Sequence, residues 1–82
     1  MARVVSISSK FRDLTGGLDG LDVDARSVRE LLRLLEARFP GLGEMVEAEM
    51  SLAIDGEIHQ DALMEPLGPA SEVVLIPRIS GG

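Results

Sequence analysis

Between Ser27 and Phe39 the apolar residues Val28, Leu31, Leu32, Leu35 and Phe39 recur at the spacing of one helix face. Arg29, Arg33 and Arg38 lie off that stripe. Ser27 with Glu30 three residues on fits a capping box, in which the hydroxyl accepts the Glu30 N–H and the carboxylate reaches back. Pro40-Gly41 ends the run. The pattern predicts a helix over residues 27–39. A helix with one apolar stripe has to be covered by one apolar surface, and the rest of the chain offers strands to supply it.

Those strands are short. In "RVVSIS", Arg3 to Ser8, Val5 and Ile7 fall on one face, Val4 and Ser6 on the other. "SKFRDLTGGLDG" is rich in turn residues and reads as a connection with a tight reversal at Gly16-Gly17. Leu21 and Val23 then alternate with Asp22 and Asp24, which predicts a second strand antiparallel to the first. "GLGEMVEAEM" reads equally as a short helical turn or a loop. "SLAIDGEIHQD" has the form of a hairpin, Leu52 to Ile54 and Glu57 to His59 about an Asp55-Gly56 turn. "ALMEPLGPAS" is a loop in which Leu63 and Leu67 are expected to tuck under the sheet. "EVVLI", Glu72 to Ile76, is an unbroken apolar strand suited to the centre of a sheet. The expected class is α+β: a mixed sheet of four to five strands on one main helix, with the first and last strands parallel at its centre, the β-grasp or ubiquitin arrangement.

Composition narrows the function. With 82 residues the chain is one small domain with a thin core, ill suited to a deep enclosed active site. It has no cysteine, which excludes disulfides, thiolate metal sites and cysteine nucleophiles. The net charge of −6 and the scarcity of aromatics, Phe11 and Phe39 only, argue against nucleic acid; the charge fits a basic protein partner and equally a surface that only confers solubility. "MARVVSISSK" lacks the apolar stretch of a signal peptide, and no run reaches the length of a membrane span, so a soluble cytoplasmic protein is expected. His59, the sole histidine, reads as an exposed surface residue in the hairpin. Asp19, Asp22 and Asp24, and Glu44, Glu47 and Glu49, read as solvated acidic faces rather than metal sites. "TGGLDG" lacks the Lys-Ser/Thr of a phosphate loop. No stand-alone enzyme emerges, and no bound cofactor is expected.

What remains is the end of the chain. Pro77 closes the last strand because it cannot donate a ladder hydrogen bond. Arg78, Ile79, Ser80, Gly81 and Gly82 follow. Two glycines permit backbone conformations closed to other residues and remove the bulk that would stop a carboxylate from threading a narrow channel. A carboxylate is a poor electrophile, so its carbonyl can accept sulfur or an amine only after activation, as in an acyl-adenylate made with ATP. Residues 1–77 are therefore expected to form the domain and 78–82 a flexible tail.

"EVVLIPRISGG" resembles the C-termini of the ubiquitin-like sulfur carriers, among them the small subunit of molybdopterin synthase and the thiamine-pathway carrier. "KFRDLTGG" is similar to a turn of the molybdopterin type, "SVRELLRLLEARFPGL" to that family's helix and its exit, and "LAIDGE" to its hairpin. The resemblance implies a β-grasp carrier rather than a catalyst. A ubiquitin-activating-like adenylyltransferase would adenylate Gly82 with ATP, and sulfur transfer would leave a Gly82 thiocarboxylate. The tail would then enter the large subunit of molybdopterin synthase and give its sulfur to a pterin precursor. Gly81 would supply clearance, and Arg78, Ile79 and Ser80 would line the threaded segment. The exposed sheet face near the tail would dock both partners. Arg78 departs from the family, which commonly has a small residue or proline there. The Thr15-Gly16-Gly17 turn is also similar to carriers that feed sulfur into cysteine synthesis. Carriage of sulfur for thiamine synthesis, conjugation of Gly82 to lysines, and an interaction module with an idle tail are the other expectations to be weighed.

Overall fold

The computed structural model describes residues 1–59 and 62–78. Among them run β1 (Ala2–Ser6), α1 (Ser9–Thr15), β2 (Gly20–Val23), α2 (Val28–Arg38), α3 (Leu42–Glu49), β3 (Met50–Ile54), β4 (Glu57–His59) and β5 (Glu72–Pro77). The sheet order is β2-β1-β5-β3-β4. β1 and β5 are parallel, with Val4 opposite Val73 and Ser6 opposite Leu75. The other pairs are antiparallel. This is the β-grasp arrangement, with the first and last strands side by side at the centre.

Alternation sorts the sheet into two faces. Ala2, Val4 and Ser6 of β1, Leu21 and Val23 of β2, and Val73 and Leu75 of β5 point inward and are buried. The apolar ones form one cluster with Val28, Leu31 and Leu35 of α2, so the predicted stripe does cover the sheet. Ser6 is the polar member of its row, and its hydroxyl donates to the Leu75 carbonyl at 3.1 Å. Val5 and Ile7 face outward, Ile7 being 89% exposed. Leu67 is buried and Leu63 packs against the core from the same loop.

The segment read as a turn between β1 and β2 is a helix, α1. Phe11 is fully buried, and Thr15 Oγ1 donates to the Phe11 carbonyl at 2.8 Å. Gly16 closes the helix in the left-handed conformation at φ 75°, which a residue with a Cβ rarely adopts. A tertiary anchor, Phe11 in the core, overrides the local turn chemistry. The sheet therefore carries α1 and α3 in addition to the one main helix expected.

Of the two readings open for "GLGEMVEAEM", the structure takes the helix, α3, which buries Leu42, Met45 and Val46. Gly41, at φ 94°, starts it without a capping side chain, and Glu36 of α2 supplies the cap. The Glu36 carboxylate accepts from the Gly41 N–H at 2.6 Å and the Glu44 N–H at 3.0 Å. Gly41 first, then Glu44, hold this carboxyl below the usual carboxylate range, against a smaller opposing effect of desolvation. A lowered native pKa contributes stability that is fully present above the unfolded value and lost as pH falls through the native one. Glu36→Gln is accordingly expected to be less stable than the wild type at neutral pH, with the gap closing in acid. Urea midpoints measured at both pH values check this; a gap that does not depend on pH contradicts it.

The capping box of α2 is displaced by one residue. Ser27 Oγ accepts the Glu30 N–H at 3.1 Å, but Glu30 reaches back to the Arg26 N–H at 2.8 Å. The hairpin turn has positive φ at both Asp55 (48°) and Gly56 (89°), the two-residue form that matches strand twist. The Asp55 carboxylate then accepts from the Glu72 N–H at 2.9 Å and from Ser71 Oγ at 3.1 Å, tying the hairpin to the start of β5.

Candidate functional site

The root of the expected tail is set by the register of β5 against β3. Met50 lies opposite Pro77. One step further, the Arg78 N–H donates to the Glu49 carbonyl at 2.9 Å, so the ladder runs one residue past the strand. The Arg78 guanidinium turns across the end of α3 and donates to the Glu47 carbonyl at 2.7 Å. Glu47 and Glu49 belong to the last turn of α3, whose carbonyls lack helical partners and attract cations. Ile79, Ser80, Gly81 and Gly82, the other predicted site residues, lie outside the described residues. Of the expected set, Arg78 alone has a described place, and that place is against α3.

Two grooves meet at Pro77. On the outer face of the sheet, Val5, Ile7, Val74, Ile76 and Pro77 line a shallow apolar groove of about 490 Å³. Arg3, paired with Asp22 at 3.5 Å, and Arg12, paired with Asp19 at 3.6 Å, stand at its edge. An apolar surface with a charged rim is the usual form of a protein docking site. On the other side, Ser8, Lys10, Met45, Glu49, Pro77 and Arg78 border a second groove, crossed by the Lys10–Glu49 ion pair at 2.7 Å. The central strand thus delivers the chain to a point flanked by both.

The remaining candidates sort differently. His59 is not the exposed residue expected: its side chain is 25% accessible, and Nδ1 lies 3.0 Å from Glu65 Oε1. The loop carrying Glu65 folds back against His59 of β4, a contact just beyond the hairpin that hairpin patterning does not encode. Asp19, Asp22 and Glu49 are taken up in the ion pairs above. Among the described residues no group of three or more His, Cys, Asp or Glu side chains is placed to hold a metal ion. None of their helices is long and apolar enough to cross a membrane.

The model of the ThiS family matches residues 5–82, through both terminal glycines. The chain belongs to the ThiS family. Its members are ubiquitin-like sulfur carriers. Solved structures agree in fold. A chain of the Amycolatopsis orientalis BexX/CysO complex superposes with a TM-score of 0.82 at 20% identity, over 100% of both chains. The small archaeal modifier protein 1 of Methanosarcina acetivorans gives 0.78 at 21% identity, over 99% of this chain and 95% of its own. A Pyrococcus furiosus candidate for molybdopterin converting factor, subunit 1, gives 0.71 at 20% identity, over 95% and 97%. No curated protein matches the sequence. The resemblance gives the exposed sheet face near the tail a docking role without naming its residues; the structure shows them to be Val5, Ile7, Val74 and Ile76. Their signal was the outward half of the β1 alternation and the unbroken apolar run of β5.

Proposed function

We propose that this ThiS-family protein carries sulfur as a thiocarboxylate on Gly82 and delivers it to an acceptor enzyme as a non-catalytic, sulfur-donating subunit. The observation that supports this most is the family match running through Gly82, on a fold whose central strand leads directly to the tail. The chemistry takes two steps. The Gly82 carboxylate attacks the α-phosphorus of ATP on a ubiquitin-activating-like adenylyltransferase, and pyrophosphate leaves. A sulfide-level nucleophile then attacks the carbonyl carbon, AMP leaves with the former carboxylate oxygen, and a proton is released. ATP is thus used by the activating partner. The outer groove of Val5, Ile7, Val74 and Ile76 is the docking surface in this reading, and the tail beyond it threads the partner's channel.

The acceptor in this proposal is the large subunit of molybdopterin synthase, with a pterin precursor as the final recipient. Supporting it are the order of the motifs along the chain and the likeness to the Pyrococcus furiosus protein. A cysteine-forming acceptor is the second reading, favoured by α1 ending on Thr15-Gly16-Gly17 with both glycines at positive φ. The thiocarboxylated protein, presented in parallel to the two acceptor enzymes, is expected to lose its sulfur to the pterin precursor. Transfer only to the cysteine-forming enzyme selects the second reading. Transfer to neither, with Gly82 joined to lysines instead, overturns both.

A further inference from the structure

Arg78 was expected in the threaded segment, yet its two bonds hold it on the domain. The backbone bond to the Glu49 carbonyl continues the β3–β5 ladder, and any residue but proline could make it. The side-chain bond to the Glu47 carbonyl needs a long cationic donor at this position. The acceptor is a helix C-terminal carbonyl, so the bond is charge-assisted and favoured by the helix dipole. Arg78 also lines the groove beside Lys10 and a smaller cavity of about 180 Å³ beside His59, so the side chain spans the end of α3.

We infer that Arg78 is a clamp: it pins the chain to the end of α3, so that the segment free to enter a partner begins at Ile79. This rests on the sulfur-carrier reading for its purpose, but not for its geometry. The clamp sets a reach. Ile79 to Gly82, fully extended, span at most roughly 14 Å from the anchor. It also lowers the entropy lost on docking, because the direction in which the tail departs is fixed before the partner arrives. Arg78 acts through α3 rather than on the reacting atoms, so it is a positioning residue. The departure from a small residue or proline is then a requirement of the clamp, since proline would remove the N–H bonded to Glu49 and a small side chain would not reach Glu47.

Two measurements on Arg78→Ala and Arg78→Lys test this. The first, amide hydrogen exchange in the free protein, needs no partner. The residue-78 amide is expected to exchange about tenfold faster in Arg78→Ala than in the wild type, after correction for intrinsic rates, and at a near wild-type rate in Arg78→Lys. The second is steady-state adenylation. Arg78→Ala is expected to raise KM for the carrier about tenfold with kcat unchanged, and Arg78→Lys to restore most of the loss. Equal exchange in wild type and Arg78→Ala overturns the clamp. So does a fall in kcat at constant KM, which would put the guanidinium in the partner's site. If the wild type is not adenylated at all, the sulfur-carrier reading fails, and the exchange ratio by itself decides the clamp.

Discussion

One residue added after Gly82 is expected to abolish sulfur loading while leaving the fold intact. In the proposed function the adenylated group is the Gly82 carboxylate; extension converts the Gly82 carbonyl into an amide and moves the carboxylate one residue, about 3.5 Å, further out. A channel that fits two glycines would also have to admit a side chain. Deleting Gly82 moves the reacting group inward by the same distance, and misplacement by as little as about 1 Å can cost on the order of 100-fold in rate. Gly81→Val tests the steric part separately: it leaves the terminus in place but adds bulk and removes the conformational freedom of glycine. All three variants are expected to keep the wild-type urea midpoint, because the buried cluster of the described residues is built from positions up to Leu75. Intact mass after incubation with adenylyltransferase, ATP and a sulfur donor reads the loading. An extended chain that loads as fast as the wild type counts against a Gly82 carrier.

The second large effect falls far from the tail. Gly43→Ala is expected to destabilise the fold by about 1–3 kcal/mol. A Cβ at Gly43 would press on the Leu32 carbonyl oxygen and come within 2.9 Å of Glu36 Cβ. The first obstacle is backbone of α2 and cannot rotate aside, so α3 has to move. That motion loosens the packing of Leu32, Met45 and Val46 and pulls the Gly41 and Glu44 N–H groups from the Glu36 carboxylate. Against this stands the better helix propensity of alanine, at most about 1 kcal/mol and less in a first turn. The overlap wins. Each kcal/mol lowers the melting temperature of a domain this size by roughly 4–8 °C. A lower urea midpoint at an unchanged slope is the expected result; equal stability would mean that α3 lies further from α2 than the structure has it.

The parts of the fold that were legible in the sequence are those whose signal is local and long enough. The stripe of Val28, Leu31, Leu32, Leu35 and Phe39 runs over three turns, along α2 and onto its C-cap, and is bracketed by Ser27 and Pro40. The run Val73 to Ile76 marked β5 as central, and the Asp55-Gly56 turn fixed the register of β3 and β4. α1 escaped because seven residues hold only Phe11 and Leu14 as large apolar positions, too few for a period, and because Gly16-Gly17 end a helix there rather than build a loop. α3 stayed ambiguous because Gly41 and Gly43 lower its helical propensity; both answer to its junction with α2, which no local pattern reports. At the site, Gly81-Gly82 stood out in the sequence, but the place of Arg78 did not. Its partners are main-chain carbonyls of Glu47 and Glu49, which carry no side-chain signature.

The most direct measurement is the intact mass of the wild-type protein, with fragment ions to locate any change, after incubation with its adenylyltransferase, ATP and a sulfur donor. Replacement of one oxygen by one sulfur, found on Gly82 and dependent on ATP, is the outcome expected of a sulfur carrier. An unchanged mass with an active adenylyltransferase, or sulfur found at any other residue, contradicts it.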